Sequence, residues 1–135
     1  MSFEELPHTA DVKIRARAPT LETLFSEAFN ALMLVMYGKD RKGGHPREIH
    51  VTAADNEEML ADFLSEVLFL SEVDGLVFSR ADIRIDDGRL HAVLDGEPFD
   101  QARHAGGSEV KGISYSGMSV TRDTNGYMLD IIFDV

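Results

Sequence analysis

The pattern of apolar and polar residues predicts two amphipathic helices. Apolar residues recur at spacings of three and four along residues 21–36, which indicates one broad hydrophobic helix face. Thr20 is a typical N-cap for this helix, and Gly38 is a typical residue to end it. A second helix should begin after Asp55, because Asp55 and Glu58 have the spacing of a capping box. Its predicted inner face consists of Leu60, Phe63, Leu64, Val67, Leu68 and Ser71.

Alternating apolar and polar residues predict strands on both sides of these helices. Hairpin turns are indicated at 86–88 and 125–126, a further turn at 95–98, and a kink at Gly112 or Gly117. Residues 99–108 should form an irregular crossing segment, with Gly106 and Gly107 giving it freedom. The predicted strands are 3–6, 12–17, 48–53, 76–78, 81–85, 89–94, 110–120 and 127–135.

These elements predict an α+β fold, with two amphipathic helices packed on a mostly antiparallel β-sheet. Residues 1–135 have no internal repeat and no linker long enough to divide them, so we expect a single domain. The stretch 38–47 contains a glycine pair, a proline and several basic residues, and it is predicted to be a mobile, exposed loop.

Composition narrows the functional classes. The net charge of −11 disfavours direct nucleic-acid binding, because such a field repels phosphate backbones. There are no cysteines, which excludes disulfides, thiolate zinc sites and a cysteine nucleophile. No signal peptide and no apolar run long enough to span a membrane is visible, so we expect a cytoplasmic protein with no membrane partner.

The motifs of common enzyme classes are missing. The sequence has no glycine-rich phosphate loop and no HExxH motif. Its five histidines are scattered and none forms a helical i, i+4 pair, so a zinc enzyme of the usual kind is not expected. His45 falls in the predicted loop, while His50 and His91 alternate with apolar residues and should face water.

The second predicted helix carries a concentration of negative charge. Residues 55–74 contain seven acidic residues and no basic one. This surface is either a simple water-facing helix side or a docking surface for a basic partner.

Two acidic residues lie at opposite ends of the chain, within strand patterns. Asp11 precedes the strand 12–17, and Asp134 lies near the end of the last strand. If these strands are neighbours, the two carboxylates and the terminal carboxylate of Val135 offer oxygen ligands of the kind that Ca²⁺ or Mg²⁺ prefers. Lys111 lies near Glu109 and either forms an exposed Glu–Lys pair or acts as a cation that steers phosphate or balances the acidic pair.

Six segments spread along nearly the whole chain carry distinctive motifs. They are His8-Thr9-Ala10-Asp11, 20–25, 62–68, 96–100 with His104, 109–115 and 130–135. Together and in this order they resemble the archease family. The sequence departs from the family pattern at Gly112, Ser114 and Ser116, where members usually carry Ala, Thr and His. The role of Ser116 is therefore left open.

The resemblance implies a protein cofactor and not an enzyme. Archease promotes guanylation and multiple turnover of the RtcB-type RNA ligase in tRNA splicing or RNA repair. By position, Asp11, Asp134 and Val135 would bind a divalent cation, with Ca²⁺ expected first and Mg²⁺ or Mn²⁺ as alternatives. Lys111 would be the functional cation, with Glu66 and His104 as lesser candidates.

His8 is expected to brace the turn before Asp11. Two other functions stay open at this point, a small metal-dependent hydrolase that uses the same carboxylates and a general chaperone-like interaction module.

Overall fold

The structure is a computed structural model that describes residues 1–6 and 11–135. The predicted brace at His8 and the first three residues of its motif lie outside the described residues. Within the described residues the chain forms seven strands and three helices. In order they are β1 (Ser2–Leu6), β2 (Val12–Ala18), α1 (Leu21–Tyr37), β3 (His45–Thr52), α2 (Asn56–Asp74), β4 (Leu76–Asp86), β5 (Arg89–Pro98), α3 (Gln101–His104), β6 (Gly112–Asp123) and β7 (Gly126–Asp134).

The caps of both long helices are confirmed. The Thr20 side chain accepts a hydrogen bond from the Thr23 backbone N–H at 3.2 Å, and α1 ends at Gly38, whose φ is +86°. The Asp55 side chain accepts from the Glu58 backbone N–H at 2.8 Å. All six residues predicted for the inner face of α2 are buried, including Ser71. Local capping chemistry and helical periodicity therefore determine where these helices lie along the chain.

The α+β class is confirmed, but the strands form two antiparallel sheets and not one. The first sheet has the strand order β1-β2-β7-β6, and the second has the order β3-β5-β4. Each long helix contacts both sheets, α1 through β2, β7 and β4, and α2 through β6, β3 and β4. The helices therefore join the two sheets in one core. The sequence pattern shows that a helix has a buried face, but it does not show how many sheets cover that face.

Aromatic side chains fill much of this shared core. Phe25 of α1 and Phe63 of α2 stack with ring centroids 6.2 Å apart, and both are fully buried. Phe78 and Phe133 bring one strand of each sheet into the same cluster. Helix–helix and helix–sheet packing thus use the same large side chains, whose burial is a major favourable term in folding.

The predicted turn at 95–98 is wrong, because β5 continues through Pro98. A Cβ on Gly96 would lie 2.7 Å from the carbonyl oxygen of Val77, so this glycine allows close strand packing. The two short strands predicted within 76–85 are one strand, β4, with an irregularity between Phe78 and Arg80. The kink predicted in β6 lies at Gly117, whose φ is +76°.

The predicted loop at 38–47 is shorter and better anchored than expected, since β3 already begins at His45. The Arg41 guanidinium donates to the carbonyl oxygen of Phe78 at 2.9 Å. The backbone N–H of Lys42 donates to the Glu97 carboxylate at 2.7 Å. These bonds come from residues distant in sequence, which is why composition alone suggested a mobile segment.

Glu97 is the centre of the polar cluster that anchors this loop. Its carboxylate forms a two-point ion pair with Arg103 and also accepts the Lys42 N–H. The hydrogen bonds from Arg103 and Lys42 lower the pKa of Glu97 to about 2, against the opposing effect of burial. A glutamate with a side chain only 11% exposed is thus held ionised by its partners.

From the sequence we expected Gly107 only to give the chain conformational freedom. In the structure it also permits a close approach to the main chain of α1. A Cβ there would lie 2.1 Å from the carbonyl oxygen of Met36, and the next residue, Ser108, donates its N–H to Val35 at 2.9 Å. The segment before β6 is therefore seated on the C-terminal end of α1. Gly106, by contrast, has open space where a side chain would begin.

We predict that Gly107→Ala lowers the free energy of unfolding by about 1–3 kcal/mol, the usual cost of forcing atoms into a packed site. Gly106→Ala is the matched control and should change it by less than about 0.5 kcal/mol, as at other open surface positions. Urea unfolding followed by circular dichroism measures both. Equal stability of the two variants would contradict the close approach at Gly107.

We predict that Glu97→Ala lowers the free energy of unfolding by roughly 2–4 kcal/mol at neutral pH, because Arg103 and the Lys42 N–H lose their acceptor. Since folding lowers this carboxyl's pKa, its stabilisation is present above the unfolded-state pKa of about 4.3 and is lost as pH falls towards 2. The difference between wild type and variant should therefore shrink on acidification.

The control for this prediction is Asp82→Ala. Asp82 forms an exposed ion pair with Arg80, so its removal should cost less than about 1 kcal/mol. Urea unfolding at neutral and acidic pH distinguishes the two cases. A loss for Glu97→Ala that does not depend on pH would show that packing, and not the ionised carboxylate, is responsible.

Candidate functional site

The pairing of β2 with β7 brings the two ends of the chain together. In this antiparallel ladder Val12 lies opposite Phe133, and Asp11 and Asp134 are the next residue on each side. Neighbouring residues across a ladder project to the same face of the sheet. The register therefore places Asp11 and Asp134 at adjacent positions at one end of the first sheet, as the sequence analysis required.

Strand β6 adds Lys111 to the same end of the sheet. Gly112 lies opposite Asp134, and the backbone N–H of Lys111 donates to the Asp134 carbonyl oxygen at 2.6 Å. A Cβ on Gly112 would lie 3.8 Å from the Asp134 carboxylate, which is ordinary contact. An alanine would thus fit at this position without displacing Asp134. We call Asp11, Lys111, Asp134 and Val135 the acidic tip.

The donor set of the acidic tip fits a hard cation. Asp11 and Asp134 are half-buried and supply carboxylate oxygens, while Val135 is 39% exposed and supplies main-chain oxygen. Within residues 1–6 and 11–135, no third acidic or histidine side chain lies close enough to complete a cluster here. Main-chain oxygen or water would therefore have to complete the coordination of Ca²⁺ or Mg²⁺.

Asp130 of the same strand has a different role. Its carboxylate receives two hydrogen bonds from the Arg15 guanidinium, at 2.8 and 3.0 Å, across the β2–β7 ladder. The pKa of Asp130 is lowered by this partner. The ion pair contributes to the strand pairing that places the tip, and it leaves Asp130 committed to Arg15.

Glu66 lies on the surface of α2. It is exposed on α2, where it lines a shallow groove with His50 and Thr52 of β3. These strand residues belong to the second sheet, and α2 also packs against β6 of the first sheet. The functional role expected for Glu66 stays a prediction.

His104 is buried and has structural contacts. Its Nδ1 accepts from the backbone N–H of Asp100 at 2.9 Å, so Nε2 carries the hydrogen and donates to the carbonyl oxygen of Asp40 at 2.9 Å. The ring also packs against Tyr37 and Phe99. These contacts indicate that His104 fixes the loop after α1.

The acidic surface of α2 lies beside an exposed tyrosine. Tyr115 lies in the irregular part of β6 and is 59% exposed. Its pKa is raised, first by local desolvation and then by the negative charges of Asp62, Glu58 and Asp55. The charges of α2 therefore create a joint negative field over this surface. Ser116 is exposed in the same segment.

The sequence analysis missed one cluster. Among the described residues, Glu48, His50 and His91 are the group of three whose ligand atoms lie close enough together to hold a metal ion. His50 and His91 do face water, as predicted. The signal that could have found the cluster is the pairing of β3 with β5, which single-strand periodicity does not reveal.

Comparisons with known proteins cover nearly the whole chain. The profile of the Archease protein family matches residues 3–135. Protein archease of Methanosarcina mazei is 32% identical, over 98% of this chain and 95% of its own length. Protein archease of Pyrococcus furiosus is 36% identical, over 98% of both chains. That of Methanopyrus kandleri is 34% identical, with each chain fully covered.

Two solved structures have folds similar to that of this chain. The solution structure of Methanobacterium thermoautotrophicum protein 1598 superposes with a TM-score of 0.86 at 26% identity, covering 98% of each chain. The crystal structure of an archease, possible chaperone, from Thermotoga maritima has a TM-score of 0.69 at 19% identity, covering 98% of this chain and 96% of its own, which is a likeness of fold. None of these relatives is named for a catalytic activity.

The described helices give no sign of a membrane span, since none of them is both long and apolar enough to cross a bilayer. The α+β architecture, the order of the motifs and the full-length matches all agree. The chain is a member of the archease family.

Proposed function

We propose that this protein is an activator of an RtcB-type RNA ligase, promoting its guanylation and multiple turnover in tRNA splicing or RNA repair. The observation that carries the proposal is the strand register that places Asp11, Asp134 and Lys111 at one end of the first sheet. Family membership supports the choice of partner. We further propose that the protein works in the cytoplasm beside this ligase and does not itself bind RNA.

The acidic tip would act by positioning. The carboxylates of Asp11 and Asp134, with main-chain oxygen of Val135, would hold a divalent cation, for which Ca²⁺ is our first choice and Mg²⁺ or Mn²⁺ are alternatives. A bound cation would supply positive charge for nucleotide phosphates in the ligase. The strand pairs hold these residues in a fixed arrangement, so little entropy is lost when the tip docks.

Lys111 would contribute a second positive charge. The backbone of Lys111 is fixed by its hydrogen bond to Asp134, while the residue as a whole is exposed at the protein surface. The ammonium group can thus reach a phosphate of the partner, while the backbone hydrogen bond holds the Cα end of the side chain in place. No covalent chemistry by this chain is required.

Docking would rest on charge complementarity. The net charge is −11, and α2 presents acidic side chains beside the exposed Tyr115. A ligase that binds RNA needs a basic groove, which such a surface would complement. Association of the two proteins should therefore weaken as the salt concentration rises.

We predict that Asp11→Ala and Asp134→Ala each reduce stimulation of ligase guanylation at least about tenfold. Loss of a residue that only orients a metal ligand typically lowers metal affinity by that amount or more, and here a proposed ligand itself is removed. Labelled GTP and the cognate ligase measure this directly, with and without a calcium chelator. Asp82→Asn, an exposed acid on the second sheet, is the matched control and should stimulate fully. Full stimulation by both tip variants would refute the proposal.

We predict that Lys111→Met keeps Ca²⁺ binding but lowers the rate of ligase guanylation at saturating concentrations of this protein, because only the ammonium charge is removed. Lys39→Met, in the loop after α1, is the control and should behave as wild type. Calorimetry gives the metal affinity and the labelling assay gives the rate. A parallel loss of metal binding and stimulation would assign Lys111 to metal binding instead.

The same assays distinguish the two alternative functions. Hydrolysis of a phosphoester by the isolated protein, abolished by a chelator and by Asp134→Ala, would indicate a metal-dependent hydrolase. Prevention of aggregation of unrelated proteins, unaffected by Asp11→Ala, would indicate a chaperone. The second alternative is favoured by the exposure of Phe69 and Val73 on α2, at 56% and 63%.

A further inference from the structure

The second sheet carries a histidine pair over a glutamate. Glu48 and His50 are two residues apart on β3, so they share one face of the sheet. His91 of β5 lies directly opposite His50 in the antiparallel ladder. Ile49 and Val51 alternate with these residues and are buried at 3% and 8%, so the three polar side chains face water.

The side chains converge on one point. The Nε2 atoms of both histidines lie 2.8 Å from the same Glu48 oxygen, Oε1. The rings are stacked, with centroids 4.6 Å apart and planes inclined by 17°. The three ligand atoms all lie within 4.8 Å of one another. Side-chain atoms on two paired strands are thus already gathered, without any loop that would have to close.

These separations are near those of a coordination sphere. For metal–ligand bonds of about 2.0–2.1 Å, neighbouring ligand atoms lie about 2.9 Å apart at a right angle and about 3.4 Å apart at a tetrahedral angle. The observed 2.8 Å between each Nε2 and Oε1 needs only a small outward shift. On binding, each ring would coordinate through Nε2 as the neutral tautomer with its hydrogen on Nδ1, so a hydrogen present on Nε2 would move to solvent or, through solvent, to Nδ1.

The donor types select the metal class. Two imidazoles and one carboxylate suit divalent transition metals, whereas Ca²⁺ and Mg²⁺ prefer oxygen ligands alone. His50 borders two surface depressions and His91 borders one of them, so positions for water or another ligand stay open. Arg84 lies opposite His91 on β4 and would oppose the cation, while Asp86 in the same depression would favour it.

We propose that Glu48, His50 and His91 form a binding site for a divalent transition-metal ion such as Zn²⁺, separate from the acidic tip. The two sites share no residue and lie on different sheets, since β3 and β5 belong to the second sheet. The proposal does not depend on the partner or on the activity proposed above.

Calorimetry with Zn²⁺ on the full chain tests this, in an Asp134→Ala background that weakens metal binding at the acidic tip. We expect one Zn²⁺ per chain, with the affinity lowered at least about tenfold by His50→Ala, His91→Ala or Glu48→Gln. His45→Ala is the matched control, because His45 is an exposed histidine of the same strand outside the cluster, and it should bind as the parent does.

Nitrogen-15 NMR of the histidine rings gives a second readout that does not require activity. Addition of Zn²⁺ should shift the Nε2 resonances of His50 and His91 together, and addition of Ca²⁺ should leave them unchanged. Circular dichroism verifies that each variant is folded. Absence of Zn²⁺ binding, or equal affinity in His50→Ala, His91→Ala and the parent, would overturn the proposal.

Discussion

The antiparallel pairing of β2 with β7 is the constraint on which the rest of the structure depends. It joins the first long strand of the chain to the last, with Val12 opposite Phe133 and Ala18 opposite Tyr127. This closure of the chain forms the middle of the first sheet and buries Ile14, Leu129 and Ile131 against the helices. The Arg15–Asp130 ion pair fastens the same ladder on its other face. A slip of one residue would move every core side chain of β7 to solvent, so the hydrophobic pattern enforces the register.

The candidate site inherits its geometry from this ladder. Asp11 and Asp134 gain their adjacency from strand pairing, and Lys111 is attached by a backbone hydrogen bond to Asp134. A site built at strand ends in this way takes its geometry from the backbone ladder. Such backbone positioning suits a protein whose proposed role is to present charge to an enzyme and not to perform chemistry itself.

A polar assembly outside the β2–β7 ladder anchors the loop after α1. Glu97, Arg103 and His104 hold the segment between α1 and β3, with Glu97 kept ionised although it is largely buried. The motif that contributed to the family resemblance at 96–100 and His104 is explained by this role. Conversely, His50 and His91, which carry no motif, form with Glu48 the cluster that we propose as a transition-metal site. In this molecule, therefore, a sequence motif can mark a structural cluster, and a candidate metal site can lack a sequence motif.

The sequence by itself determined the helices, their caps and the buried face of α2, because these depend on residues three or four apart. It also determined the exposed faces of the strands and nominated Asp11 and Asp134 as strand-end acids. Only the tertiary structure decided that there are two sheets, that β5 runs through 95–98, and that Gly107 makes a close contact with Met36. It alone placed His50 beside His91. Each of these features depends on which strand or helix lies next to which, and side-chain periodicity along one segment carries no information about its neighbours.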